Sequence, residues 1–201
     1  MPDADKPLSQ NPAAPDFWDK RFREGFTPWD AGRVPAATRD FLARESAKLR
    51  VLIPGCGSAY EARAFAETGH HVVAIDFSSA AIDAARRVLG SFDSVLQLAD
   101  FFQFDFAAPF DLVYERAFLC ALPRSEWQRW AKRVAEVLRP QGRLAGFFFW
   151  NDDPRGPPFG LKAGELEALL DREFERIDDA AVADSLPIFA GRERWQVWRR
   201  R

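Results

Sequence analysis

The amino-acid sequence predicts an α/β fold: a mostly parallel, seven-stranded sheet with helices packed on both faces. Three observations point there. Apolar runs of strand length alternate with helical stretches from Leu49 to Trp150, a glycine turn follows the first run without a break, and an acid ends the second. Parallel neighbours need crossover connections, so this alternation lays helices over both faces of the sheet. At 201 residues the chain is sized for one domain, and such a domain buries roughly 70% of the surface it would expose unfolded.

Residues 1–15 carry four prolines among Asp, Asn, Gln and Ser and read as a mobile arm ahead of a single domain over 16–201. The first part of that domain, 16–47, reads as a helical lid segment. Trp18, Phe22 and Phe26 recur at i, i+4 and i+8, one stripe of a helix that Gly25 and Pro28 limit. Pro35 suits the first turn of a second helix reaching about Ala47. A strand over 49–53 follows, then a helix over 61–68 closed by Gly69, a strand over 72–75, and a helix capped by Ser78 and ended by Gly90. Further strands are expected over 95–99 and 110–114. Ser125 suits the cap of a helix to Leu138, whose stripe Trp127, Trp130, Val134, Val137 and Leu138 reads as core. Pro140 to Gly142 stop it before a fifth strand over 144–150. A helix over 164–173 leads to strands over 174–182 and 192–198, joined by a loop long enough for a hairpin at the sheet edge.

Charge and composition narrow the function. The formal charge is −2 with both signs interspersed, unlike the clustered basic face that nucleic acid requires. The apolar stretch 144–150 is far too short to span a bilayer, and the acidic N-terminus lacks the basic and apolar regions of a signal peptide. Cys56 and Cys120 have no ligand spacing, and His70 and His71 read as exposed residues without acidic partners, so no metal is expected. The expectation is a monomer in a reducing cytoplasm, without nucleic-acid or membrane partners. Seven Trp and nineteen Phe against two Tyr supply apolar faces for a core or for a ligand pocket.

The first strand runs into Pro54-Gly55-Cys56-Gly57-Ser58-Ala59 and then a helix, an arrangement in which backbone amides approach a ligand closely. Asp76 stands nineteen residues past Gly57, at the end of the second strand, where a carboxylate can accept from both hydroxyls of a ribose. Together these features predict a bound nucleoside. Tyr60 occupies the place where a dinucleotide fingerprint needs a third glycine, which disfavours a nicotinamide cofactor. Asp100, followed by Phe101, falls where an adenine would lie, offering a carboxylate to the exocyclic amine and a ring to stack on. Its plainer reading is a helix cap or a solvated loop. Cys56 reads as a small packing residue, not a nucleophile.

Several runs together resemble the thiopurine S-methyltransferase family. They are Phe17-Trp18, Gly25 to Asp30, Val51 to Ser58, Val73 to Asp76, Phe110 to Ala121 and Gly156-Pro157-Pro158-Phe159. The likeness spans nearly the whole chain after residue 15. Thr27-Pro28-Trp29-Asp30 and Cys120-Ala121 are similar to the plant branch, which methylates thiols, thiocyanate and halides, whereas Arg116 matches the thiopurine branch. The resemblance implies a Rossmann-like S-adenosylmethionine-dependent methyltransferase fold, S-adenosyl-L-methionine as cofactor, and a small thiol or thiopurine-like acceptor. It also implies cofactor contacts from Trp18, Phe22 and Trp29, from the turn Gly55, Cys56 and Gly57, and from Asp76 with Phe77, Asp100 with Phe101, and Arg116.

A sulfonium is a cation, and an aromatic face within about 6 Å attracts it by roughly 0.5–2 kcal/mol. Trp18 and Trp29 on a movable helix therefore suit a lid that excludes water. Methyl transfer is an in-line displacement that needs mainly alignment, so no catalytic base is assigned. Arg116 has two readings: it stabilises an anionic acceptor, or it pairs with Glu115. The 156–159 loop follows the fifth strand, beyond the strand ends where ligands bind in such sheets, and is expected to line the acceptor pocket. Two other classes fit a nucleoside motif. One is an NAD-type oxidoreductase, opposed by Tyr60 and the lack of a catalytic pair; the other is a non-catalytic binding module.

Overall fold

The computed structural model describes residues 10–201; residues 1–9, most of the expected arm, lie outside it. Two helices come first, α1 (Pro15–Arg23) and α2 (Ala36–Arg44). The alternation follows as β1 (Arg50–Pro54), α3 (Tyr60–Glu67), β2 (His71–Asp76), α4 (Ser79–Leu89), β3 (Leu96–Leu98) and β4 (Phe110–Arg116). After these come α5 (Trp127–Val137), β5 (Leu138–Phe149), α6 (Glu165–Leu170), β6 (Phe174–Ala181) and β7 (Glu193–Arg200). The strands lie in the order β3-β2-β1-β4-β5-β7-β6. β3 to β5 in that row are parallel, and β7 runs antiparallel to both β5 and β6. Strand order reverses between β1 and β4, and in open α/β sheets that reversal opens a crevice beyond the carboxyl ends.

Alternate residues of each strand feed two cores. Val51 and Ile53 of β1 join Phe65 of α3, Ala85 of α4 and Tyr114 of β4 on one face. Leu52 joins Val113, Leu144 and Trp198 on the other, under Trp127, Trp130 and Val134 of α5. Burial of each large apolar side chain contributes about 1.5–3 kcal/mol. The α5 stripe is therefore core, as its spacing predicts.

Local departures from the expected elements have physical causes. α1 ends at Arg23, and Gly25 adopts a φ of +66°, so Phe26 falls off the predicted stripe and is 60% exposed. Phe17, outside that stripe, is the buried anchor of α1. Ser125 is not the cap of α5: it lies in a tight 3-10 turn over Arg124–Glu126, whose last amide bonds back to the Pro123 carbonyl. The Pro140 to Gly142 segment lies inside β5 as an irregularity, with Gln141 at a φ of +63° and a register shift opposite Phe110 and Leu112. His70 is buried, not exposed; its Nδ1 accepts the Leu49 amide at 3.1 Å, and burial, then Lys48, lower its pKa.

Candidate active site

The glycine turn is built from β1 outward. Gly55 and Gly57 have φ of +58° and +52°, backbone that favours glycine. A Cβ on Gly55 would collide with the Phe118 ring, and one on Gly57 would sit 3.5 Å from Cζ of Phe22. The turn is fastened to β2: the Cys56 amide donates to the Ile75 carbonyl at 3.0 Å, and the Gly57 amide donates to Asp76 at 3.1 Å. Asp76 also accepts the Ser78 amide at 2.9 Å. Burial pushes its carboxyl up to about 6, against the backbone amides of Ser78, Gly57 and Phe77. Each carboxylate oxygen has lone-pair capacity beyond one amide, so hydroxyl donors on the cavity side can still be accepted.

A cavity of about 430 Å³ runs along the carboxyl ends of β2, β1 and β4. All eleven residues expected to contact a cofactor line it: Trp18, Phe22, Trp29, Gly55, Cys56, Gly57, Asp76, Phe77, Asp100, Phe101 and Arg116. Asp100 also does what the plainer reading expects, accepting the Phe102 amide at 2.8 Å and the Gln103 side-chain amide at 2.7 Å. The Phe101 ring is almost wholly buried and packs edge-on to Phe118, 5.6 Å between centroids. The Cys56 thiol is pushed well above its ordinary pKa by burial and by Asp76, in keeping with a packing role.

α1 closes one side of the cavity. The Trp18 ring meets Trp29 edge-on at 5.4 Å, and Phe22 meets Trp29 at 6.1 Å. Trp18 Nε1 donates to the Pro12 carbonyl at 2.9 Å, drawing residues 11–14 against the helix. What fastens α1 is Asp19, which the sequence reading missed. Its carboxylate accepts the Ser78 hydroxyl at 2.6 Å, the Ala80 amide at 3.0 Å and the Ser79 hydroxyl at 3.1 Å, so it caps α4 from another helix. Burial raises its pKa, but those donors and Arg23 more than offset this and hold it below the ordinary value. No spacing rule could have found this pair, because the partners lie about sixty residues apart.

The lining also has an apolar part that includes Ala117, Leu122, Pro157, Pro158 and Phe189. The Phe159 amide bonds the Cys120 carbonyl at 2.7 Å, which brings the 156–159 loop to the end of β4. Arg116 is not paired with Glu115. Its guanidinium donates to Glu193 of β7 at 2.8 Å and lies over the Phe147 ring at 4.4 Å. Burial would lower its pKa, but Glu193 holds it raised. Glu115 points the other way and accepts the amides of Phe118 and Leu119 at 2.8 and 3.0 Å. Two further polar groups went unread: Glu61 in the first turn of α3, and Asp30, which accepts the Ser58 hydroxyl. An acid directly after a glycine turn was the available signal for Glu61, but it is also ordinary helix-start composition.

Among the described residues no group of acids, histidines and cysteines could hold a metal, and no helix is long and apolar enough to cross a membrane. Similar folds include the 1,6-didemethyltoxoflavin N1-methyltransferase of Burkholderia thailandensis, with a TM-score of 0.72 at 21% identity over 92% of this chain and 86% of that one. The magnesium protoporphyrin IX methyltransferase of Synechocystis reaches 0.72 at 16% identity, over 93% and 99%. In sequence, a probable thiol methyltransferase of Arabidopsis thaliana is 31% identical over 76% of this chain and 70% of its own length. The thiocyanate methyltransferase 1 of Brassica oleracea is 28% identical over 91% and 84%, and the thiopurine S-methyltransferase of Aliivibrio fischeri 29% over 91% and 97%. Residues 13–201 match the thiopurine S-methyltransferase family as a whole. With a glycine turn, a buried acid and an aromatic wall around one cavity, the chain belongs to the thiopurine S-methyltransferase family and is an S-adenosylmethionine-dependent methyltransferase of small molecules.

Proposed function

We propose that the methyl acceptor is a small thiol or thiopurine-like sulfur compound, held against the apolar part of the cavity lining beside Arg116. When bound, S-adenosyl-L-methionine supplies a methyl group on a positively charged sulfur. The residues suited to hold it are those of the cavity: Asp76 for the ribose hydroxyls, Asp100 and Phe101 for the adenine, and the Gly55 to Gly57 amides for the tail. Phe77 flanks Asp76, and Trp18, Phe22 and Trp29 form the aromatic wall. Those rings exclude water and offer their faces to a cation. The chain's remaining task is to align the acceptor, and alignment supplies much of the rate of such a displacement.

The Arg116–Glu193 pair is the observation that carries the choice of acceptor. A bare buried guanidinium would favour a permanently anionic acceptor such as thiocyanate or a halide. Neutralised by Glu193, it leaves the apolar part suited to a weakly hydrated, polarisable sulfur. One chain supplies every wall of the cavity, which supports activity as a monomer. Both cysteines are unpaired and buried, which supports a reducing cytoplasm.

The test is a panel of acceptors under identical conditions: an aliphatic thiol, an aromatic thiol, a thiopurine, thiocyanate and iodide. Product analysis should find the methyl group on sulfur, with kcat/KM at least about tenfold higher for a thiol or thiopurine than for thiocyanate or iodide. Preference for an inorganic anion, or no transfer to any sulfur compound by a protein that binds S-adenosylhomocysteine, would overturn the proposal.

A further inference from the structure

We propose that Glu61 receives the α-ammonium group of the cofactor's amino-acid tail, an assignment that rests on the cavity being the cofactor site. The strand order sets the geometry. Asp100 and Asp76, at the ends of β3 and β2, lie to one side of β1, and Arg116, at the end of β4, lies to the other. A nucleoside over β3 and β2 therefore extends its tail over β1 and β4. Glu61 faces the cavity from the first turn of α3, immediately after the glycine turn, close enough for Arg116 and Tyr114 to share its electric field.

The neighbouring polar side chains at that end each have at least one partner, although Oε1 of Glu193 is buried without one. Arg116 is bonded to Glu193. Asp30 accepts the Ser58 hydroxyl and, at 2.8 Å, the Gly32 amide. Asp76 holds Gly57 and Ser78, and the Tyr114 hydroxyl shares a 2.7 Å hydrogen bond with Thr38. Glu61 differs: among the described residues its carboxyl takes no hydrogen bond from another residue. Burial raises its pKa, and the charge of Arg116, already shared with Glu193, offsets that only in part. Glu61 is half-buried and opens on the cavity; a carboxylate partly withdrawn from water without a donor gains from a cation within hydrogen-bonding reach. Arg116 is already bonded to Glu193, so it is not free to serve Glu61. The cations the ligand offers are its sulfonium and its ammonium. The sulfonium has aromatic faces available to it, and the ammonium is a hydrogen-bond donor that needs an acceptor.

Calorimetry with three nucleosides tests the assignment: S-adenosylhomocysteine, its analogue with hydrogen in place of the α-amino group, and methylthioadenosine, which lacks the tail. The wild type should lose about 30-fold in affinity when the amino group is removed, and Glu61→Gln about threefold or less, as expected for one charge-assisted hydrogen bond. Glu61→Asp, which keeps the charge on a shorter arm, should retain part of the preference. Methylthioadenosine should bind wild type and both variants alike, which also reports an intact nucleoside site. An equal loss in wild type and Glu61→Gln would overturn the assignment of Glu61 and leave the cavity reading standing. A wild type that binds none of the three would overturn both.

Discussion

Two groups of tryptophans in this protein are alike in the sequence and opposite in the structure. Trp127 and Trp130 of α5, with Trp198 of β7, are 3%, 0% and 1% exposed and fill the space between α5 and the sheet. Trp18 of α1 and Trp29 beyond it are half-buried and stand edge-on to one another against the cavity. The first group is held by burial. The second hangs on a polar clasp, Asp19 on the start of α4, together with one buried ring, Phe17. Apolar burial is lost only with unfolding, whereas a clasp of three hydrogen bonds at a partly exposed edge can open locally. The lesson is that a ring at a ligand site is anchored by its neighbours' polar groups, which leaves its face available.

The largest test of that contrast is thermodynamic. Trp130→Ala should cost about 3–5 kcal/mol of stability through the cavity it leaves, and Trp18→Ala under about 1 kcal/mol, as for a residue outside the core. Urea denaturation of both variants measures this, and equal losses would place α1 in the core and erase the distinction.

The next test concerns the acid beside the clasp. Asp76→Ala should weaken S-adenosylhomocysteine binding by about 2–3 kcal/mol, since the ribose hydroxyls lose charge-assisted acceptors. With its carboxyl at about 6 in the unliganded protein, Asp76 is protonated below that pH and accepts more weakly. Affinity should therefore fall as pH drops through about 6, by up to about tenfold for each unit below it. The unliganded fold shows the opposite sign. Its raised pKa means the native state holds the proton more tightly than the unfolded chain, so this carboxyl subtracts stability as pH rises from 3.8 through about 6. A flat affinity profile between pH 5 and pH 8 (about the working range of the assay) would remove Asp76 from the ribose contact.

The smallest effect should come from the clasp. Asp19→Ala removes a helix cap, worth about 1 kcal/mol, and should speed hydrogen exchange over residues 17–30 while leaving α5 protected. Added S-adenosylhomocysteine should slow exchange over the same residues in the wild type. If the clasp variant exchanges like wild type across that segment, packing and not Asp19 holds α1.

The parallel half of the sheet was readable because its signals are local. Gly57 and Asp76 are close in sequence, and each strand and its helix alternate within a short stretch. The pattern also places Arg116 at a strand end, but of its two readings the one that gives it a partner takes the adjacent Glu115. Glu193 lies 77 residues away on β7, two strands over from β4, and no periodicity reports a register between β5 and β7. The same limit hid Asp19, whose serine partners belong to another helix. Phe26 shows which of two local signals wins: its spacing continues the stripe, but the left-handed Gly25 named as its limit ends the helix first. His70 was misjudged because turn position suggests exposure, while a ring nitrogen that accepts a backbone amide can sit in the core at little cost.

β7 follows every other strand in chain order, yet it lies between β5 and β6. During synthesis, then, β6 emerges with no strand beside it, and the sheet waits with β5 as its edge until β7 is released from the ribosome. Glu193 arrives with that strand, so the buried guanidinium of Arg116 has no counter-charge for the time taken to translate the intervening residues. At about 5–20 residues per second, that interval is on the order of several seconds to a quarter of a minute. The acceptor end of the cavity is thus completed only once β7 has been made, and a nascent chain stalled before β7 carries the glycine turn and Asp76 without a finished pocket.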